Sequence, residues 1–192
     1  MKVGVFGGTF DPPHIGHLIV AEHVREHLGL GKILFVPASI PPHKGMKETA
    51  EPHHRLEMLQ ISVKGNRFFD ISDIELQRGG VSYTVDTLRQ LQSASPNDAL
   101  FFLLGMDMLI EFHTWRSQQE ILDLAEVVVL TRPDFRMPEL DRSLQRRITM
   151  CRVSEIGVSS SEIRRRVKEG RSIHYMVVPA VEAYIQRHRL YR

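Results

Sequence analysis

His14 and His17 stand three positions apart in the segment Gly7-Gly8-Thr9-Phe10-Asp11-Pro12-Pro13-His14-Ile15-Gly16-His17. On the first turn of a helix this spacing turns two imidazoles the same way. A helix N-terminus also presents free N–H groups and a partial positive charge, a natural cradle for phosphate. Gly7, Gly8 and Gly16 allow backbone to approach a ligand where a Cβ would collide. Two ring donors beside backbone donors could hold a polyphosphate and tighten on it as charge builds on a five-coordinate phosphorus, with no covalent intermediate. Other phosphate devices are absent: Gly4-Val5-Phe6-Gly7-Gly8 does not supply a G-x-G-x-x-G fingerprint, and the chain has no G-x-x-x-x-G-K-[ST] loop. A zinc site would need a third ligand near the two histidines, and none is evident.

Further residues could join this chemistry. Lys44, in the constrained run Pro41-Pro42-His43-Lys44, is either a solvated lysine or a cation brought to the site by its loop. In Ser82-Tyr83-Thr84-Val85-Asp86-Thr87-Leu88, Thr84 reads as a helix N-cap, and the helix start could offer N–H groups to a carboxylate. Gly105-Met106-Asp107 is either a turn with a capping Asp or a carboxylate placed to accept from ribose hydroxyls. Trp115 is the single tryptophan and serves as core or as a flat platform for a ring. Ser159 with Glu162 forms a capping-box pattern, and Ser159, Ser160 and Ser161 with Arg164 make a second anion site.

These residues need a scaffold that gathers loops. Val3–Phe6, Ile33–Val36, Leu100–Leu104 and Val127–Leu130 are continuous apolar runs, the pattern of strands covered on both faces. Leu18, Ala21, Val24 and Leu28 form a helical stripe that Gly29 would end. Thr84–Leu91, Trp115–Leu124, Ser160–Lys168 and Pro179–Arg187 are further predicted helices, with Pro179 suited to a first turn. Repeated strand–helix–strand order predicts an α/β fold: a Rossmann-like open parallel sheet with helices on both faces. Ligands then belong at the carboxyl ends of the strands, where the His14 segment, Gly105 and Arg132 fall. The proline-bearing stretches 39–54 and 131–139 read as loops. At 192 residues, without a dividing linker, the expectation is one domain over 1–192 with a helical C-terminal portion from about 159.

Charge is uneven. Residues 132–192 carry 14 Lys and Arg against 7 Asp and Glu, leaving a net −5 on residues 1–131. That suits an anionic ligand, and no cationic run alternates with aromatics as in single-strand nucleic-acid binders, so nucleic acid is not expected. One cysteine, Cys151, excludes an internal disulfide framework. No apolar run approaches the ~20 residues of a membrane helix, and no signal peptide opens the chain, so a cytoplasmic protein is expected, away from membranes. A homo-oligomer is left open.

The first segment, Gly7 to His17, resembles the signature of the HxGH nucleotidyltransferases. Pro41-Pro42-His43-Lys44, Ser82 to Leu88, Trp115-Arg116 and Val158-Ser159-Ser160-Ser161-Glu162-Ile163-Arg164 resemble, in order, segments of the bacterial nicotinate mononucleotide adenylyltransferases, with Ser161 where the family often has Thr. The resemblance implies transfer of the adenylyl group of ATP to nicotinate mononucleotide, giving nicotinate adenine dinucleotide and pyrophosphate in NAD biosynthesis. It implies Mg2+ arriving with ATP, without protein side chains as metal ligands. It assigns catalysis to His14, His17 and Lys44. ATP is assigned to Gly7, Gly8, Thr9, Phe10, Gly16, Gly105, Asp107, Arg132, Ser159, Ser160 and Arg164. The pyridine nucleotide falls to Thr84, Trp115 and His43.

Overall fold

A computed structural model describes residues 1–40, 49–131, 141–154 and 156–192. Six strands, β1 (Lys2–Gly8), β2 (Lys32–Pro37), β3 (Phe69–Ile71), β4 (Ala99–Gly105), β5 (Glu126–Thr131) and β6 (Ile148–Arg152), form one sheet in the order β3-β2-β1-β4-β5-β6. Every pairing is parallel, with Val5 opposite Leu34 on one side and Phe102 on the other. The order reverses at β1, so the crevice outside the carboxyl ends of β1 and β4 is the place where an open sheet of this kind takes its ligand.

The alternation of side chains along each strand divides the core in two. Val3, Val5, Leu34, Val36, Phe102, Leu104 and Val127 point to one face. There they meet α4 (Thr84–Ala94) through Val85, Leu88 and Leu91, α5 (Met106–Glu111) through Leu109, and α6 (Gln118–Leu124) through Ile121. Ile33, Phe35, Phe101, Leu103 and Val128 point to the other face. They meet α1 (Ile15–His27) through Ala21 and Val24, and α2 (Pro52–Val63) through Leu59. Continuous apolar strands are what a sheet covered on both faces requires. A third cluster joins Met58 of α2 to α8 (Ser160–Lys168) and α9 (Pro179–Arg187) through Ile163, Val181, Tyr184 and Ile185.

Short helices α3 (Ile74–Arg78) and α7 (Arg142–Gln145) complete the described elements, with a 3-10 turn at Phe112–Thr114. Gly29 sits at φ 61° just past α1, where its lack of a Cβ permits the left-handed turn. Three expectations are corrected. Trp115 does not open a helix: it follows the 3-10 turn, and Ser117 at φ 53° separates it from α6. Thr84 is the first residue of α4, and the N-cap position belongs to Tyr83. The predicted loop 39–54 ends early, because Pro52 already occupies the first turn of α2. No helix among the described residues is long and apolar enough to cross a membrane.

Candidate active site

β1 delivers the chain into the 9–14 loop, and α1 carries it away. His14 is the extended N-cap of α1, at φ −139° and ψ 168°, and His17 is its third helical residue. The two rings stack with centroids 3.6 Å apart. His17 Nδ1 accepts the His14 backbone N–H at 3.1 Å. His14 Nδ1 faces the His17 N–H in the manner of a capping box, but the contact falls short of a full hydrogen bond. His17 Nδ1 therefore meets a backbone donor, which favours a lone pair there and a proton on its Nε2. Burial pushes the His14 imidazole down to about 4, so at neutral pH it is an uncharged donor. Gly16 makes room for it: a Cβ there would lie 3.0 Å from His14 Nδ1 and 3.1 Å from Cε1.

The loop itself is buried from Phe10 to His14. Buried backbone must be paired. Pro12 and Pro13 have no N–H to satisfy, and side chains from other elements take the carbonyls. Arg55 of α2 donates from Nη1 to the Thr9 carbonyl at 2.9 Å. Arg164 of α8 donates from Nη1 to the Asp11 carbonyl at 2.8 Å. The Ser160 hydroxyl donates to the Pro12 carbonyl at 2.9 Å. Arg55 is itself 2% exposed and also reaches the carbonyls of Ala50 and Ser39, at 3.2 and 3.3 Å. Desolvation lowers its pKa, which the nearby Asp11 opposes. The first N–H of α1, from Ile15, goes to the Met176 carbonyl at 3.0 Å.

The structure thus brings the His14 segment and the Ser159–Arg164 segment together. Ser159 caps α8 by accepting the Glu162 N–H at 3.2 Å. The Glu162 carboxylate pairs with Arg165. Gly7 and Gly8 end β1, with the Phe10 ring over Gly8 at 3.0 Å from where a Cβ would stand. Phe10, at φ 49°, packs its ring against Phe6, Phe35 and His17, so its side chain belongs to the core. Gly105 ends β4 beneath the exposed Asp107, whose Oδ1 lies 2.6 Å from where a Cβ would be.

A second constellation forms at the opposite face. Trp115 packs edge-on to Phe102 and Phe112, at 6.1 and 5.4 Å between centroids. Arg116 lies over the Tyr83 ring at 4.8 Å and reaches Asp86 Oδ2 at 3.6 Å. Thr84 stands between those two residues at the start of α4. The sequence segments around Thr84 and Trp115 therefore meet in space. Phe102 links them to the first loop, since its Cε2 lies 4.0 Å from a Cβ placed on Gly7. Ser82 ties this region to the end of β2: its hydroxyl accepts the Ser39 N–H at 2.9 Å, and its N–H goes to the Ile40 carbonyl. His43, Lys44 and Arg132 lie outside the described residues. A hollow of about 690 Å³ between α8 and α9 includes Lys168, Arg171 and Arg192 in its wall and none of the site residues above.

A family model described as cytidylyltransferase-like matches residues 5–166. A Thermus thermophilus protein named probable nicotinate-nucleotide adenylyltransferase is 44% identical over 192 residues, all of both chains. A Desulfitobacterium hafniense protein of the same name is 40% identical over 198 residues, covering 100% of this chain and 96% of its own. The chain belongs to the nicotinate-nucleotide adenylyltransferase family, within the cytidylyltransferase-like proteins. The family's fold is also seen at greater distance. Nicotinic acid mononucleotide adenylyltransferase of Plasmodium falciparum, solved with NaAD, superposes with a TM-score of 0.78 at 21% identity, covering 99% of this chain and 97% of its own. A Vibrio parahaemolyticus structure described as a nicotinate-nucleotide adenylyltransferase gives 0.70 at 21% identity, covering 100% of this chain and 95% of its own.

The match over residues 5–166 spans His14 to Arg164 and stops short of Tyr191. Sequence reasoning missed Asp11, Arg55 and Tyr191 as parts of it. Asp11 was visible inside the motif. Arg55 carried no signal, since a lone arginine in a helical stretch reads as surface.

Proposed function

We propose that this chain transfers the adenylyl group of ATP to nicotinate mononucleotide, releasing pyrophosphate and forming nicotinate adenine dinucleotide. The observation that carries the reading is the stacked His14–His17 pair at the start of α1, with His17 Nδ1 turned to a backbone donor so that its proton is left on Nε2. Two imidazole donors at a helix N-terminus suit a polyphosphate whose charge is rising.

An oxygen of the mononucleotide phosphate attacks the α-phosphorus of ATP in line, and the bond to the pyrophosphate oxygen breaks. The nucleophile is already an anion, so no general base is needed, and the protein's work is positioning and charge stabilisation. His14 and His17 take the ATP phosphates with the backbone of Gly7, Gly8, Thr9, Phe10 and Gly16. Ser159, Ser160, Arg164 and Arg132 flank the nucleotide, and Gly105 with Asp107 takes ribose. Thr84 and Trp115 with His43 hold the pyridine end, where the helix start of α4 suits a carboxylate. Lys44 offsets the repulsion between the two phosphates.

ATP would come with Mg2+ as part of the substrate, and the ion would supply charge neutralisation at the phosphates. Among the described residues, no group of three or more His, Cys, Asp or Glu could hold a metal ion. We infer that residues 1–192 act as one unit, with α8 and α9 serving the ATP side. The test is pyrophosphate release with ATP and Mg2+, comparing nicotinate mononucleotide, nicotinamide mononucleotide and 4′-phosphopantetheine. Preference for the nicotinate form is expected. Release with none of them would overturn the reading.

A further inference from the structure

Tyr191 lies beyond α9, 180 positions from Asp11, yet its hydroxyl donates to Asp11 Oδ1 at 2.5 Å. Asp11 is 1% exposed, and a carboxylate taken from water must be matched by donors. Oδ1 has a second donor in the Ala50 N–H at 3.1 Å. Oδ2 has no hydrogen bond and lies 3.7 Å from Arg164 Nη1, the group that holds the Asp11 carbonyl. The charged groups facing this carboxylate are Arg164 from α8 and Arg55 from α2, with Tyr191 as the neutral donor. We propose that Tyr191 is a positioning residue for the ATP side of the site, holding the Asp11 carboxylate so that Arg164 and the 9–14 loop keep the arrangement that receives the phosphates.

The inference rests on the adenylyltransferase reading for Arg164's role, but its geometry stands apart from the acceptor. Asp11 has its pKa raised by burial, opposed first by the Tyr191 hydrogen bond. Tyr191 is raised by burial and by Asp11, so it remains a donor throughout the working range. Removing the hydroxyl leaves Oδ1 one donor, moves the carboxyl toward its protonated form and weakens the hold on Arg164. The consequence falls on ATP. Thr84 stands on α4, and Trp115, before α6, packs against Phe102 and Phe112.

The experiment is Tyr191→Phe, with the same exchange at the exposed Tyr175 as control. The expected result is a KM for ATP raised about tenfold, the size of one hydrogen bond to a charged group. The KM for nicotinate mononucleotide should be unchanged, and the acidic limb of the rate profile should move to higher pH. Titration with ATP alone should show the same weakening without any acceptor. Unchanged ATP constants would overturn the proposal, as would equal losses toward both substrates that track a lower melting temperature. If the wild-type protein shows no transfer to nicotinate mononucleotide, the functional reading fails by itself, and the ATP titration of the two proteins still decides the role of Tyr191.

Discussion

The two histidines do different work although they share one motif. His17 is fixed as a donor by the bond that its Nδ1 accepts, so its proton sits on the far side of the ring. In the proposed mechanism, replacing it with alanine removes a donor to the developing charge and should raise the barrier by about 3–4 kcal/mol, by analogy with a lost oxyanion-hole donor. Steady-state turnover of a folded His17→Ala protein checks this, and near-normal rates would remove the residue from the mechanism. His14 adds a dependence of stability on pH. Its imidazole falls from the ordinary 6.5 to about 4 through burial, so between those values the unfolded chain binds a proton that the folded chain refuses. Its contribution is therefore complete above pH 6.5 and lost as pH falls through 4, a change of about 3 kcal/mol. Asp11 has the opposite sign, since a carboxyl with a raised pKa favours the folded state on acidification. Urea denaturation of wild type and His14→Asn across this range isolates the histidine by difference. Parallel curves for the two proteins would mean that the ring is not desolvated.

The elements show what a sequence can and cannot reveal. β1, β2, β4 and β5 lie inside the sheet, so both of their faces are apolar and their runs are continuous. β3 and β6 are edges, three and five residues long, with Asp70, Thr149 and Arg152 interrupting the pattern. No periodicity survives in so short and polar a strand. α2 was hidden by its own chemistry: Arg55, Met58 and Leu59 form its buried face, and a buried arginine breaks the apolar stripe. α8, by contrast, announces itself through Ser159, which caps it as the spacing to Glu162 predicts. The helix it caps also holds the first loop, since the first turn carries Ser160 to the Pro12 carbonyl and the next carries Arg164 to the Asp11 carbonyl. Ser159→Ala should cost about 1 kcal/mol of stability. With α8 on the ATP side as proposed, it should also weaken ATP more than the mononucleotide. Chemical denaturation and the two KM values check it together, and a stability loss without an ATP effect would separate the cap from the site.

At the scale of the molecule, the site is a place where distant pieces of chain meet around one buried loop. The motif from Gly7 to His17 could be read from the sequence because its residues are adjacent. Of its supports, Arg164 stood out through its serine-rich segment, whereas Arg55 and Tyr191 arrive from separate stretches that carry no motif. Arg55 joins the most of them: Thr9 after β1, Ser39 after β2 and Ala50 before α2 all give it their carbonyls. It also faces the Asp11 carboxylate from beneath the loop. Arg55→Met keeps much of the volume and the apolar stem but removes every donor. Three part-buried carbonyls and one buried carboxylate then lose a partner, at a cost of about 3–5 kcal/mol. Because these partners belong to different elements, the loss should lower the single cooperative unfolding transition instead of loosening one loop. Urea denaturation followed by fluorescence of Trp115, which sits on the other face of the sheet, reads that distinction directly. A lowered midpoint at Trp115 supports Arg55 as a tie across the fold; an unchanged midpoint there, with ATP binding lost, would confine its role to the 9–14 loop.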